Sequence, residues 1–202
     1  MSLAAATRSG GTSSGTGTSI WSAWGTRIRR RGLAGSTVRD LAAHSGAPLG
    51  STYHYFPRGK QQLAAEAVRF AGDLVTRILE KELEAGPVAG LRAFLALWRK
   101  TVIDSDFTAG CPVLAIAVEE PPNDAAPEAI TAAAEVFTSW EGLLSASLRD
   151  RGAVPEQAAR LATLIVAAVE GSVAICRAKR DIQPLDDIAA QLEILVHAAI
   201  AE

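Results

Sequence analysis

The stretch TVRDLAAHSGAPLGSTYHYFPRGK, residues 37–60, decides the expected fold. Thr37 is a good capping residue, and the apolar spacing after it predicts a short helix. Gly46 ends that helix in the left-handed conformation that glycine tolerates best. Pro48 pre-sets the start of a second helix, which Pro57 ends. Two short helices joined by a tight turn that contains glycine have the outline of a helix-turn-helix.

The charge along the chain agrees with a nucleic-acid-facing end. The 202 residues carry a formal net charge of −2, which by itself argues against a nucleic-acid binder. Residues 1–62, however, hold eight basic residues and one acidic residue, a formal charge of +7. The other 140 residues hold twelve basic and 21 acidic residues, a formal charge of −9. This asymmetry predicts a small DNA-facing module on an acidic body.

The rest of the chain predicts helices and no strand. With 49% hydrophobic residues there is enough apolar surface for a core, and good helix formers dominate. We expect an all-α fold of about nine helices in three parts. These parts are a flexible Ser/Gly-rich arm at 1–18, a helix-turn-helix domain at 19–62 and a ligand-binding and dimerisation domain at 63–202.

Apolar spacing on the longer helices predicts which faces are buried. The expected buried stripes are Leu63, Ala67, Phe70, Leu74 and Ile78; Leu91, Leu95, Trp98 and Val102; Ile130, Ala134, Phe137, Glu141, Leu144 and Leu148; and Ile188, Leu192, Leu195 and Ala199.

Residues 37–60 resemble the DNA-reading part of the TetR family of bacterial transcriptional regulators. The family has a capping Thr, a Gly turn, a Gly, a Tyr and a Phe on the recognition helix, and a following Lys. The matching positions here are Thr37, Gly46, Gly50, Tyr53, Phe56 and Lys60. GAPLGSTYHYFPRGKQQL, FTAGCPVLAIAVE and VEGSVAICRAKRDIQPL are similar to the branch that includes lincomycin-resistance and flavonoid-responsive repressors. The resemblance covers about residues 29–200 and implies a three-helix DNA-binding domain before a helical body.

The recognition helix must bring its N-terminal residues to base edges in the major groove. Gly50 allows a close backbone approach, while Leu49 and Ser51 are short enough to probe the groove. Tyr53 and His54 can reach phosphate oxygens, which position the protein without specifying sequence. The candidate DNA-binding residues are Thr37, Arg39, Pro48, Leu49, Gly50, Ser51, Tyr53, His54 and Lys60.

The middle helices supply large apolar side chains and a few polar ones, a mixture that suits a small hydrophobic effector. Core packing is the competing interpretation for each aromatic residue. Glu170 lies on an apolar helix and needs a partner if buried, either a ligand or Arg177. The candidate ligand-binding residues are Phe94, Trp98, Phe107, Cys111, Phe137, Trp140 and Glu170.

The last two helices, at 155–179 and 185–201, are the expected homodimer interface. The first of them is rich in small residues that allow close helix approach, and Gly171 costs about 1 kcal/mol relative to Ala in mid-helix. Close contact with a second copy would explain that glycine, whereas close intramolecular packing is the alternative. The family resemblance implies a four-helix bundle between two subunits.

These expectations describe a repressor that an effector releases from operator DNA. It would be a cytoplasmic protein with no enzymatic activity, cofactor, metal site or membrane span.

Two alternatives stay open. Gly25 and Arg27 stand where the family has core residues, so residues 8–28 form either a divergent first helix or the product of a shifted reading frame. A degenerate first helix would leave a ligand-binding dimer with impaired DNA binding. A small all-α enzyme with Cys111 as nucleophile is the other alternative, and the apolar surroundings of that thiol disfavour it.

Overall fold

The computed structural model describes residues 57–119 and 128–200, and every regular element in these two ranges is an α-helix. The six helices are α1 (Gly59–Leu83), α2 (Pro87–Asp104), α3 (Pro112–Ala117), α4 (Glu128–Asp150), α5 (Pro155–Lys179) and α6 (Gln183–Ile200). The all-α class is confirmed. The three helices expected before residue 57 lie outside the described residues, so the total of nine stays a prediction.

Proline and glycine set most of the helix boundaries. α2, α3 and α5 each begin with a proline, whose fixed φ suits the first turn and whose missing N–H is not needed there. Gly86 precedes α2 with φ 111°, and Gly152 follows α4 with φ 101°. Both angles favour glycine strongly. For α5 and α6 the observed bounds agree with the predicted 155–179 and 185–201 to within two residues.

The helices pack as a bundle around one apolar core. α1 lies along α4, α4 packs on α5, and α5 packs on α6, while α2 bridges α1 and α6. Among the largest fully buried side chains are Phe94 and Trp98 of α2 and Trp140 of α4. The interior of the described part of the body is thus filled mainly from α1, α2, α4 and α5.

α1 and α4 approach closely at Gly72. A Cβ atom at this position would lie 2.4 Å from Cγ2 of Val136, which is far inside van der Waals contact. The indole N–H of Trp140 donates to the Gly72 carbonyl at 3.5 Å. Glycine is favoured here because any side chain at this position would overlap that of Val136.

Three of the four predicted buried stripes need correction, and that of α2 is confirmed. On α1, Leu63 and Ala67 are buried, but Leu74 is 49% exposed and Val75 and Leu79 fill the interior. On α4 the buried stripe runs through Ala133, Val136 and Trp140, one residue before the predicted Ala134, Phe137 and Glu141. On α6, Val196 is buried and the predicted Leu195 is 43% exposed. Adjacent apolar residues offer two possible faces, and spacing alone does not decide which one meets the neighbouring helix.

Among the described helices, α5 is long and apolar enough to cross a membrane by length and composition. Half of its most apolar stretch is buried inside the bundle. α5 also contacts both α4 and α6, so its apolar residues belong to a helix with one face in a protein core.

Candidate functional site

Most of the predicted DNA-binding residues lie outside the described residues. Those residues are Thr37, Arg39, Pro48, Leu49, Gly50, Ser51, Tyr53 and His54. Lys60 occupies the first turn of α1, which begins at Gly59. Its backbone is therefore at a helix N-terminus, where the free N–H groups attract anions.

Arg58, at the exit from the predicted recognition helix, is paired with an acidic residue. Its Nη1 lies 2.9 Å from Oε2 of Glu128, and its Nη2 donates to Oε1 of the same carboxylate at 3.2 Å. The sequence argument counted Arg58 among the basic residues that face DNA. Its described partner lies 70 residues away along the chain, at the start of α4, and no local sequence signal indicates that pairing.

Four of the predicted ligand-binding residues meet in the interior, and we call them the aromatic cluster: Phe94, Trp98, Phe137 and Trp140. The ring of Trp140 lies 5.6 Å from Phe94, 6.4 Å from Trp98 and 5.6 Å from Phe137, between ring centroids. Phe94 and Trp98 are 6.2 Å apart. All four contacts are edge-to-face, the geometry that aromatic quadrupoles favour. The sequence therefore predicted side chains that do come together.

Phe107 makes its described ring contact elsewhere. Asp106 and Phe107 both have left-handed backbone angles, with φ 51° and 60°. The guanidinium of Arg180, just after α5, lies 5.8 Å from the Phe107 ring centroid. Arg180 also forms an ion pair with Asp106 at 2.8 Å. The segment after α2 is thus held against the end of α5, and Phe107 is not among the ring contacts of the aromatic cluster.

Glu170 and Cys111 are two polar side chains that lie near each other in the interior. Cys111 caps α3, its Sγ accepting from the Leu114 N–H at 3.5 Å. Glu170 on α5 is only 3% exposed, and neither carboxyl oxygen has a hydrogen-bond partner of normal geometry among the described residues. Burial raises the pKa of Glu170 to about 8, and the nearby Cys111 thiol opposes that rise. The carboxyl is therefore mostly protonated at neutral pH.

Cys111 is not an activated nucleophile. Burial is the main cause that raises the pKa of the Cys111 thiol well above its ordinary value, and the charge of Glu170 adds to the rise at alkaline pH, where that carboxyl ionises. The thiolate, which is the reactive form, is suppressed under these conditions. This environment disfavours the Cys111 nucleophile of the enzyme alternative.

Arg177 is not the ion-pair partner of Glu170, which corrects one predicted interpretation. Its Nη2 donates to the Thr108 carbonyl at 3.2 Å. A Cβ at Gly110 would meet Nη1 of Arg177 at 3.0 Å. The side chain is therefore directed toward the segment between α2 and α3.

Several buried polar atoms of the described part have no hydrogen-bond partner. Those on predicted ligand-binding residues are both oxygens of Glu170 and the indole Nε1 of Trp98. Buried polar groups are normally paired. Phe94, Trp98 and Trp140 are fully buried in the core, as the core-packing interpretation expects, and these polar atoms are the groups there that a ligand could pair with.

The outer surface of α5 and α6 is apolar in this single chain. Leu164 and Ile175 of α5 are exposed, and so are Ile194 and Leu195 of α6. Two shallow grooves of about 460 and 470 Å³ run along this surface. A Cβ at Gly171 would have no atom within 4 Å, so close intramolecular packing does not explain this glycine.

In residues 57–119 and 128–200, no three His, Cys, Asp or Glu side chains are grouped so that they could hold a metal ion.

Comparisons with known proteins agree on one family. The profile described as transcriptional regulator LmrA/YxaF-like, C-terminal domain, matches residues 87–191. An HTH-type transcriptional regulator of Mycobacterium tuberculosis (strain H37Rv) is 38% identical over 178 residues, covering 87% of this chain and 91% of that protein. The regulator YxaF of Bacillus subtilis is 31% identical over 173 residues, covering 82% of this chain and 87% of that protein. A solved TetR regulatory protein from Rhodobacter sphaeroides has the same fold, with a TM-score of 0.77 at 20% identity over 89% of this chain and 98% of that one.

Proposed function

The chain belongs to the TetR family of helix-turn-helix transcriptional regulators, and from this premise we propose that it is a repressor released from its operator by a small hydrophobic effector. The observation that carries the effector half of the proposal is the aromatic cluster, together with a buried carboxyl that no described residue satisfies. Binding sites for apolar small molecules combine such walls with a few polar groups that fix orientation.

DNA binding is assigned to residues 19–62, with residues 63–202 as the body that senses and dimerises. The residues that contact DNA in this proposal are Thr37, Arg39, Pro48, Leu49, Gly50, Ser51, Tyr53, His54 and Lys60. The formal charge of +7 on residues 1–62 supports this assignment, because phosphate contacts dominate affinity for DNA.

The effector contacts Phe94, Trp98, Phe137 and Trp140 in this proposal, and Cys111 and Glu170 supply its polar contacts. Phe107 was predicted with them, and its contact with Arg180 places it at the end of α5 as a secondary candidate. An effector that fits one arrangement of the body better than another shifts the population toward that arrangement. The protein is released from DNA if, in the favoured arrangement, the distance between the two recognition helices no longer matches the spacing of successive major grooves.

A homodimer through α5 and α6 completes the proposal. The exposed apolar residues Leu164, Ile175 and Ile194 support it, as does the open space at Gly171. Two recognition helices about 34 Å apart can then enter successive major grooves of a palindromic operator.

Selection from a randomised DNA duplex pool tests this function directly. The purified full chain should enrich a palindromic sequence, and the affinity for it should fall steeply with salt. A reporter with the enriched sequence across its promoter should be repressed by the chain. Failure to enrich any sequence at low salt would falsify the DNA-binding half.

Effector binding is measured separately with the neutral hydrophobic dye N-phenyl-1-naphthylamine. Its fluorescence should rise on binding to the body, and Trp140→Ala should reduce that rise severalfold.

A second candidate is a ligand-binding dimer with impaired DNA binding, favoured by Gly25 and Arg27 within the predicted first helix. Dye binding without any enriched duplex would support that candidate over the repressor.

A further inference from the structure

Arg58 and Glu128 form a two-point contact between the two parts of the proposed repressor. One guanidinium nitrogen lies 2.9 Å from one carboxylate oxygen, and a second donates to the other oxygen at 3.2 Å. Two parallel contacts fix the relative orientation of both groups, which a single contact would not do. Arg58 is exposed and Glu128 is half-buried, so the pair lies at the edge of the body.

The pair belongs to a short network between α1 and α4. Glu128 is also 3.6 Å from Nη1 of Arg69, and Arg69 lies 3.3 Å from Glu135. Arg69 follows Arg58 by about three helical turns, and Glu135 follows Glu128 by about two. The network therefore aligns the starts of α1 and α4, and within residues 57–119 and 128–200 its Arg58–Glu128 end lies nearest the exit from the DNA-reading segment.

The backbone at this exit is held as well. The N–H of Arg58 donates to Oε1 of Gln62 at 3.2 Å, and Gln62 in turn donates to Glu66 at 2.9 Å. Among the described residues, the Arg58 side chain then links the start of α1 to the start of α4.

We propose that Glu128 is a positioning residue for DNA binding: by holding Arg58 it fixes the direction in which the DNA-reading segment leaves the body. The inference rests on the proposed function, because orientation matters only if two recognition helices must match one operator. Glu128 touches no DNA in this account. It acts through Arg58. Without the Glu128 carboxylate, the orientation of the recognition helix relative to the body is less restricted in both subunits of the dimer.

The first test compares Glu128→Gln with Glu135→Gln on the enriched duplex. Glu135 contacts Arg69 but not Arg58, so it is a matched control on the same face of α4. Glu128→Gln should weaken operator binding about three- to tenfold in the dimer, in line with partly exposed ion pairs. Glu135→Gln should stay within about twofold of the wild type. Equal effects of the two variants would overturn the proposal.

A charge swap separates positioning from direct phosphate contact by Arg58. Arg58→Glu alone should bind DNA poorly under either account. The double variant Arg58→Glu/Glu128→Arg restores the pair with reversed signs but sets a guanidinium beside Arg69, so it should recover part of the affinity lost by Arg58→Glu. If Arg58 instead contacts a phosphate, the double variant should remain as weak as the single one, and Glu128→Gln should bind as well as the wild type or better.

The salt dependence of DNA affinity provides a second test, which uses an Arg58 variant and so does not depend on whether a Glu128 variant folds. Arg58→Gln should lower affinity without changing the slope of log affinity against log salt. Loss of a phosphate contact would reduce that slope by about one, which would overturn the proposal. Melting temperatures and sedimentation of every variant identify any general loss of structure.

Different results would contradict the positioning role of Glu128 and the repressor function on which it rests. If the wild-type chain enriches no duplex, the repressor function is wrong before any variant is made. If it enriches a duplex that Glu128→Gln binds as tightly as the wild type, only the positioning role is wrong.

Discussion

At the scale of single residues, Glu170 is the side chain whose environment departs most from the ordinary. It is a carboxyl inside an apolar bundle with no described hydrogen-bond partner. Burial raises its pKa to about 8. The folded protein therefore holds a proton at pH values where the unfolded chain has released it, and this group destabilises the fold as the pH rises toward 8.

Replacing Glu170 with Gln removes this titration without changing the size of the side chain. Between about pH 5 and pH 8, the free energy of unfolding of the wild type should fall relative to that of Glu170→Gln, by on the order of 2–4 kcal/mol. The two proteins should differ least at pH 5, where Glu170 is neutral in the folded state and the carboxyl of the unfolded chain is least ionised within this range. Denaturation in urea at pH 5, 6.5 and 8 measures the difference. Parallel profiles across this range would show that Glu170 is not protonated in the folded state.

Residue-scale prediction succeeded where chemistry was local and failed where it depended on distant segments. The sequence identified Glu170 as a polar residue in need of a partner, because it lies in an apolar helical run. It did not exclude Arg177 as that partner, because the Thr108 carbonyl that binds Arg177 lies 69 residues away. The Arg58–Glu128 pair escaped prediction for the same reason.

At the scale of elements, boundaries were easier to predict than faces. Proline and glycine act within one turn, so the limits of α2 and α5 follow from nearby residues. The buried face of α4 depends on which side meets α1. Its alanines and large apolar residues occupy two neighbouring faces, and only the approach at Gly72 selects the one with Val136 and Trp140.

The α1–α4 approach predicts opposite effects for two glycines in helices. Gly72→Ala should destabilise the fold by about 1–3 kcal/mol, because the new methyl group would overlap Val136. Gly142→Ala on α4 should stabilise it by up to about 1 kcal/mol, since no atom lies within 4 Å and Ala favours the helix. Chemical denaturation monitored by circular dichroism checks both. A stabilised Gly72→Ala variant would mean that the two helices are not in close contact there.

At the scale of the whole molecule, the unexplained surface is the outer face of α5 and α6. Ile194 is 61% exposed although it lies in a strongly apolar helix. The family resemblance implied a four-helix bundle here, and the small residues of α5 indicated a close approach between helices. The exposed large side chains of α6 were not singled out, since the stripe through Leu195 was interpreted as core.

A charge placed on this face should dissociate the proposed dimer. Ile194→Lys should raise the dimer dissociation constant by about tenfold or more, because an unpaired ammonium would be buried at an apolar interface. Ile103→Lys on α2, where Ile103 is 43% exposed, should leave the constant unchanged. Sedimentation velocity across a dilution series measures both. Dissociation by Ile103→Lys instead would place the interface on α2.

The contact between Trp98 and Trp140 has an optical consequence. Two indole rings 6.4 Å apart and inclined by 61° are close enough for their excited states to couple, which produces paired ultraviolet circular-dichroism bands of opposite sign. A molecule that wedges between the rings would collapse those bands while leaving the helix signal intact. Near-ultraviolet circular dichroism can therefore report on this part of the interior without a label, and Trp98→Phe, which lacks the coupled pair, is the control.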